Sequence, residues 1–230
     1  MKIGGFQKFS LIDYPEKVSA IIFTQGCNFR CPYCHNPELV DPALFGPLIE
    51  LEEIFSFLEK RKGKIDAVVI TGGEPTIQED LLEVITRIKE MGYLIKLDTN
   101  GSKPLVLGKL IVEGVLDYIA MDVKAPLSKY QEVVRARIDP QQILESIRMV
   151  MSSGIPYEFR TTVARQLLSP EDILEIGKTI AGARCYVLQK FVPSKTLDQS
   201  FLKATTFSDS EFEVLRRKME NSFVDHCEVR

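Results

Sequence analysis

Six short β-branched runs, mostly apolar for their length, recur along the chain at 18–24, 67–71, 94–98, 118–123, 157–163 and 186–191. Between them lie longer stretches with apolar residues at helical spacing, at about 51–62, 78–91, 104–113, 140–152 and 170–181. Strands apolar on both faces need cover on both sides, which a parallel α/β sheet obtains from its crossover helices. Some six strand-then-helix units, without a linker or a break in composition, predict one domain over 1–230. Its parallel sheet would curve as a partial (β/α)6 barrel with the helices outside. A flat doubly wound sheet has the same periodicity and stays open as the alternative.

Helix boundaries carry their own signals. Ser169-Pro170-Glu171-Asp172 offers an N-cap, a proline in the first turn and early acidic charge, and Asp139-Pro140 repeats the arrangement. Gly92, Gly114, Gly154 and Gly182 punctuate helix ends. A last helix at about 209–221 leads into a short terminal segment that reads as an edge strand.

The formal charge is -3, with both signs interleaved along the 230 residues, which gives no electrostatic case for nucleic-acid binding. No apolar run approaches the roughly 18–20 residues that cross a bilayer, so no membrane is expected. The first residues lack the apolar stretch of a signal peptide, and a cytoplasmic location is the expectation. In that reducing compartment clustered cysteines call for something other than disulfides.

Three of the five cysteines stand together in Cys27-Asn28-Phe29-Arg30-Cys31-Pro32-Tyr33-Cys34-His35-Asn36, after the first predicted strand. Thiolates spaced C-x3-C-x2-C in a tight loop can converge on one metal centre. Three are one short of the four that surround a cubane iron–sulfur cluster, leaving one iron open to a small molecule. Zinc held by the three cysteines and His35 is the competing reading, although adjacent Cys34 and His35 would struggle to reach one tetrahedral ion. Buried unligated thiols are a third.

The second predicted strand ends in Thr71-Gly72-Gly73-Glu74-Pro75. Paired glycines let backbone approach a ligand closely, and Glu74 could hold an ammonium group. An ordinary strand-to-helix turn would look the same. Asp98-Thr99-Asn100-Gly101 follows the third strand and Asp122-Val123-Lys124 the fourth, while Arg160 and Gln189-Lys190 lie in the fifth and sixth. Turn capping at Asn100-Gly101 and a salt bridge between Asp122 and Lys124 are the plain alternatives. At the carboxyl ends of parallel strands, where ligands bind, these groups together would suit a zwitterionic amino acid joined to a nucleoside. His226, Cys227 and Cys185 suit core or surface roles. Neither a phosphate loop nor a nucleophile elbow occurs, and two histidines leave little room for a histidine triad.

The triad followed by Gly-Gly-Glu-Pro, with matching strand and helix order over nearly the whole chain, resembles the radical S-adenosylmethionine superfamily. The runs Gly4-Gly5-Phe6-Gln7-Lys8-Phe9-Ser10-Leu11-Ile12-Asp13-Tyr14-Pro15 and Phe23-Thr24-Gln25-Gly26-Cys27 through Pro37 are similar to activases of glycyl radical enzymes. Among these they look most like the activating proteins of anaerobic ribonucleoside-triphosphate reductase. Tyr33-Cys34-His35-Asn36 is also similar to pyruvate formate-lyase activating enzyme. The cysteine-rich insert of several relatives has no counterpart.

The resemblance implies a [4Fe–4S] cluster on Cys27, Cys31 and Cys34, with S-adenosylmethionine on its open iron. Tyr33 would lie near the adenine, and Gly72, Gly73 and Glu74 at the methionyl amine. Thr99, Asn100, Asp122 and Lys124 would serve the carboxylate and sulfonium, Asp98 a monovalent cation, and Arg160 the ribose or carboxylate. It further implies a glycyl radical enzyme as partner, the anaerobic ribonucleotide reductase first, and a flavodoxin- or ferredoxin-type electron donor. The rival functions are a radical enzyme with a small-molecule substrate, such as a deazaguanine synthase, and a non-catalytic zinc module.

Overall fold

All six expected strands form, the terminal segment forms the expected edge strand, and an unexpected strand precedes them at the N-terminal end. The computed structural model describes residues 1–230. In order they are β1 (Ile3–Ser10), β2 (Ser19–Thr24), α1 (Pro37–Val40), α2 (Leu51–Arg61), β3 (Ala67–Gly72), α3 (Leu81–Glu90), β4 (Leu94–Thr99) and α4 (Pro104–Val112). Then follow β5 (Tyr118–Asp122), α5 (Tyr130–Val134), α6 (Pro140–Ser152), β6 (Tyr157–Val163), α7 (Pro170–Thr179), β7 (Tyr186–Lys190), α8 (Asp209–Ser222) and β8 (Cys227–Val229).

Two units divide the chain. The first comprises Met1–Asn28, Glu38–Thr99 and Leu105–Ile119; the second comprises Phe29–Pro37, Asn100–Pro104 and Ala120–Arg230. In the first, β1 runs antiparallel to β2, and β2, β3 and β4 are parallel neighbours in register Ile21↔Val69 and Val69↔Lys96. In the second, β6, β7 and β8 are parallel neighbours. The protein is therefore an α/β fold with a mostly parallel sheet. Within each unit successive parallel strands lie side by side.

Strand β1 escaped the apolar pattern because it has none: its sequence is IGGFQKFS, with Gln7, Lys8 and Phe9 exposed. An antiparallel edge strand needs only one buried face. Its start is tied down by bonds from Gln25 N to Lys2 O (2.9 Å) and from Ile49 N to Ile3 O (2.9 Å). Helix α3 begins at Leu81, later than the expected 78, because Gln78 is engaged outside it. The Gln78 side chain accepts from Lys2 N (2.9 Å) and donates to Gln25 O (3.0 Å).

The helices bury the stripes their periodicity announced. Helix α2 buries Ile54, Phe55 and Leu58, and α3 buries Leu81, Val84, Ile85 and Ile88. Ser169 and Asp172 close a capping box on α7, and Asp139 caps α6 by accepting from Gln141 N. An unforeseen second box, Ser208 with Glu211, starts α8.

The carboxyl ends of β2 and β3 approach closely at two glycines. Gly72 has φ 115°, and a Cβ there would stand 2.3 Å from Thr24 N; one on Gly73 would stand 2.0 Å from Gly26 O. Gly72→Ala combines a left-handed backbone with a backbone collision, and a destabilisation of about 3 kcal/mol is expected. It would be read as a lower urea midpoint at unchanged slope. A loss under about 1 kcal/mol would mean that the two strand ends can part freely.

Candidate active site

In the first unit the turn after β3 is built to present acceptors. Gly73 N–H donates to Thr24 O (2.9 Å) and Glu74 N–H to Gly26 O (2.8 Å), so these two amides are spent on the protein itself. The space beside both glycines is likewise filled by the Thr24–Gly26 backbone. Carbonyl oxygens and the Glu74 carboxylate are what the turn can offer a cation. Glu74 is buried, and its Oε1 accepts from Thr76 N (3.0 Å), Thr76 Oγ1 (2.5 Å) and Thr99 Oγ1 (2.7 Å). The structure thus joins two of the expected residues, Glu74 and Thr99, and adds Thr76, whose only signal was its place after Glu-Pro in a capping turn.

Asp98 points toward an unforeseen neighbour. Lys96, two residues back on the same face of β4, brings Nζ to 3.4 Å from Asp98 Oδ1 and also donates to Asp13 O (2.5 Å). A buried lysine needs such partners. It was hidden by its place inside an otherwise apolar strand.

In the second unit the cysteine loop is fastened mostly by backbone. Cys34 N–H donates to Cys31 O (3.1 Å), closing a turn between two of the thiols. Arg30 N–H donates to Val134 O (2.8 Å), Leu197 N–H to Cys34 O (3.1 Å) and Asp198 N–H to Pro32 O (3.0 Å). His35 is engaged elsewhere: its Nε2 lies 2.9 Å from Val192 O and its ring stacks on Phe191, centroids 5.5 Å apart. That leaves only Nδ1 of the ring for a metal.

Around Cys31 stand the buried Tyr33 and the partly buried Asp122 and Lys124, with Arg160 on Asp122. Asp122 Oδ1 accepts from Arg160 Nε (2.9 Å), and its Oδ2 lies 3.2 Å from Lys124 Nζ. Burial works against the Asp122 charge, yet Arg160 and Lys124 outweigh it and hold the carboxyl at about 2. Burial also works against the Lys124 ammonium, but Asp122 keeps it charged well above the ordinary lysine range. The Cys31 thiol is pushed up to about 11 by burial, with Lys124 pulling the other way. The buried Tyr33 hydroxyl faces that thiol without meeting hydrogen-bond geometry, and its ring packs edge-on against Phe191.

Both plain alternatives also form: the Asp122–Lys124 ion pair, and an Asx turn in which Asn100 Oδ1 accepts from Ser102 N (2.9 Å). Neither exhausts the groups, since a carboxylate accepts about four bonds and an amide also donates. Lys190 is spent on Asp209 (2.6 Å). Burial raises the thiols of Cys185 and Cys227 to about 11 and about 12, which leaves them inert.

No group of three or more His, Cys, Asp or Glu side chains is gathered as the shell of a single metal ion. Ligands of a polynuclear cluster need not converge so closely, because each holds its own iron. Three thiols, none in a disulfide, with a fixed ammonium beside Cys31, are a soft donor set that fits an iron–sulfur cluster.

The sequence model of the Radical SAM superfamily matches residues 21–180. A Methanocaldococcus jannaschii protein, named provisionally as a glycyl-radical enzyme activating enzyme, is 37% identical over 99% of this chain and 95% of its own. A Pyrococcus horikoshii protein, named provisionally as a GTP 3',8-cyclase, is 27% identical over 80% of this chain and 59% of its own. Among solved structures, Streptococcus suis SuiB bound to its precursor peptide SuiA is similar in fold, with TM-score 0.66 and 14% identity over 91% of this chain and 48% of that one.

The charge triad makes a prediction about acid. A carboxyl held below its ordinary value stabilises the fold above that value and loses the contribution as pH falls from 3.8 toward about 2. Asp122 is partly exposed, so the contribution is at most about 2 kcal/mol. The gap in urea midpoint between wild type and Asp122→Asn should therefore narrow between pH 6 and pH 3. A gap independent of pH would mean that Asp122 gains nothing from its two partners.

Proposed function

The chain belongs to the Radical SAM superfamily, and from that premise we propose that it is the activating enzyme of a glycyl radical enzyme, working as one domain over residues 1–230. The observation that carries this reading is the 37% identity, over essentially both chains, to a relative named for that activity. Cys27, Cys31 and Cys34 are the cluster ligands in this proposal. Gly72, Gly73 and Glu74 take the methionyl amine, because an ammonium needs acceptors and their turn offers acceptors. Thr99 steadies Glu74. Lys124 and Arg160, held by Asp122, supply positive charge for the carboxylate, and Asn100 a polar edge beside them. Tyr33 brings a buried phenol toward the adenine.

When bound together, the cluster and S-adenosylmethionine supply one-electron chemistry that ends in removal of a hydrogen atom from a glycine Cα. The chain's own residues bind, orient and exclude water; no general base is required of them. A monovalent cation at Asp98 would share that carboxylate with the Lys96 ammonium. The electron donor we propose is a flavodoxin or ferredoxin, and the partner the anaerobic ribonucleoside-triphosphate reductase, on the resemblance of runs 4–15 and 23–37. No helix is long and apolar enough to cross a membrane. The need for reduced thiols makes the cytoplasm the proposed location.

The likeness to a GTP 3',8-cyclase favours one other reading, a radical enzyme acting on a small molecule, as a deazaguanine synthase also does. Turnover without a protein partner would distinguish it. After anaerobic reconstitution with iron and sulfide, about four irons per chain are expected, with 5′-deoxyadenosine formed only on reduction in the presence of S-adenosylmethionine. Alanine at Cys27, Cys31 or Cys34 should abolish its formation. Wild-type cleavage in any of the three variants, or one equivalent of zinc without iron or sulfide, would sink the assignment.

A further inference from the structure

One side chain meets both the end of β5 and the start of the cysteine loop. Tyr130, the first residue of α5, is completely buried. Its hydroxyl accepts from Lys124 N (3.3 Å) and donates to Asp122 O (3.4 Å), so it bridges the two ends of the Asp122–Lys124 turn. Its ring meets Phe29 edge-on, centroids 6.2 Å apart, and the last carbonyl of its helix, Val134 O, takes the Arg30 amide (2.8 Å). Phe29 and Arg30 lie between Cys27 and Cys31.

The middle of the turn is fixed independently. Val123 N–H donates to Arg160 O (2.8 Å), and Val123 O accepts from Thr161 Oγ1 (2.6 Å), which in turn accepts from Tyr186 Oη (2.8 Å). A turn whose polar backbone groups are bonded in this way cannot drift without leaving a buried group unsatisfied. Helix α5 itself ends on Arg135 in the left-handed region, φ 47°, a conformation unfavourable for a residue with a side chain. The chain tolerates this strain at the point where α5 delivers Val134 O to the cysteine loop.

We propose that Tyr130 is a positioning residue that couples the ligand-binding charges to the cluster loop. Its hydroxyl sets where Asp122 and Lys124 stand, and its ring sets where Phe29 carries the chain between the first two cysteines. The proposal rests on the functional reading above, because the ligand it positions for is S-adenosylmethionine.

Two variants separate the two roles. Tyr130→Phe keeps the ring and removes both turn bonds, whereas Tyr130→Leu removes the ring contact as well. For Tyr130→Phe the expected results are unchanged iron content after reconstitution and about tenfold weaker S-adenosylmethionine binding. Faster hydrogen exchange of the Lys124 amide is also expected in protein carrying no cluster. Tyr130→Leu should in addition release iron faster than wild type. Tyr157→Phe, which removes a buried hydroxyl that accepts from Arg184 N (3.2 Å) outside the turn, controls for general loosening and should leave binding within about twofold. Equal binding by Tyr130→Phe and wild type would overturn the proposal, as would equal losses in Tyr130→Phe and Tyr157→Phe. A wild-type protein with its full iron that binds no S-adenosylmethionine would instead overturn the functional reading, and this inference with it.

Discussion

Two backbones touching at the ends of β2 and β3 are the constraint on which the first unit's acceptor turn depends. Gly72 and Gly73 lack side chains because Thr24 and Gly26 occupy that space, and the amides of Gly73 and Glu74 are bonded to those same residues. The contact turns the following segment so that Glu74 is buried at the N-terminus of a short turn, where Thr76 and Thr99 hold its carboxylate. Remove the contact and the acceptors that could receive an ammonium group lose their common origin. The glycines therefore act first on the protein's own packing, and through it on chemistry.

In the second unit the organising force is electrostatic. A carboxylate between a guanidinium and an ammonium, all largely withdrawn from water, keeps all three groups charged across the physiological range. Each charge would be costly to bury alone. Their arrangement leaves positive groups fixed beside the thiol of Cys31, so a negative ligand meets charge already oriented. Preorganised charge of this kind needs little rearrangement when the ligand arrives.

Much of this was legible in the sequence. The apolar run at 67–71 could be little else than a covered strand, and the capping signals at Ser169 and Asp139 work as read. The cysteine spacing and the Gly-Gly-Glu-Pro run pointed to the superfamily that the family match shows. What escaped was set by partners distant in sequence. Strand β1 has no periodicity of its own, Lys96 looks like an interruption in an apolar run, and Tyr130 sits in a short helix too brief to show a stripe. Single hydroxyls and ammonium groups acquire meaning only from what folds against them, and no spacing rule carries that information.

The bonds that fasten the cysteine loop to residues 197 and 198 run from main chain to main chain. Such a seam reads length, not letters. Over evolutionary time the exposed residues 192–194 are free to change identity, while gain or loss of even one would slide the amides past their carbonyls. Divergence in this lineage should therefore accumulate there as substitution, with indels displaced to other loops.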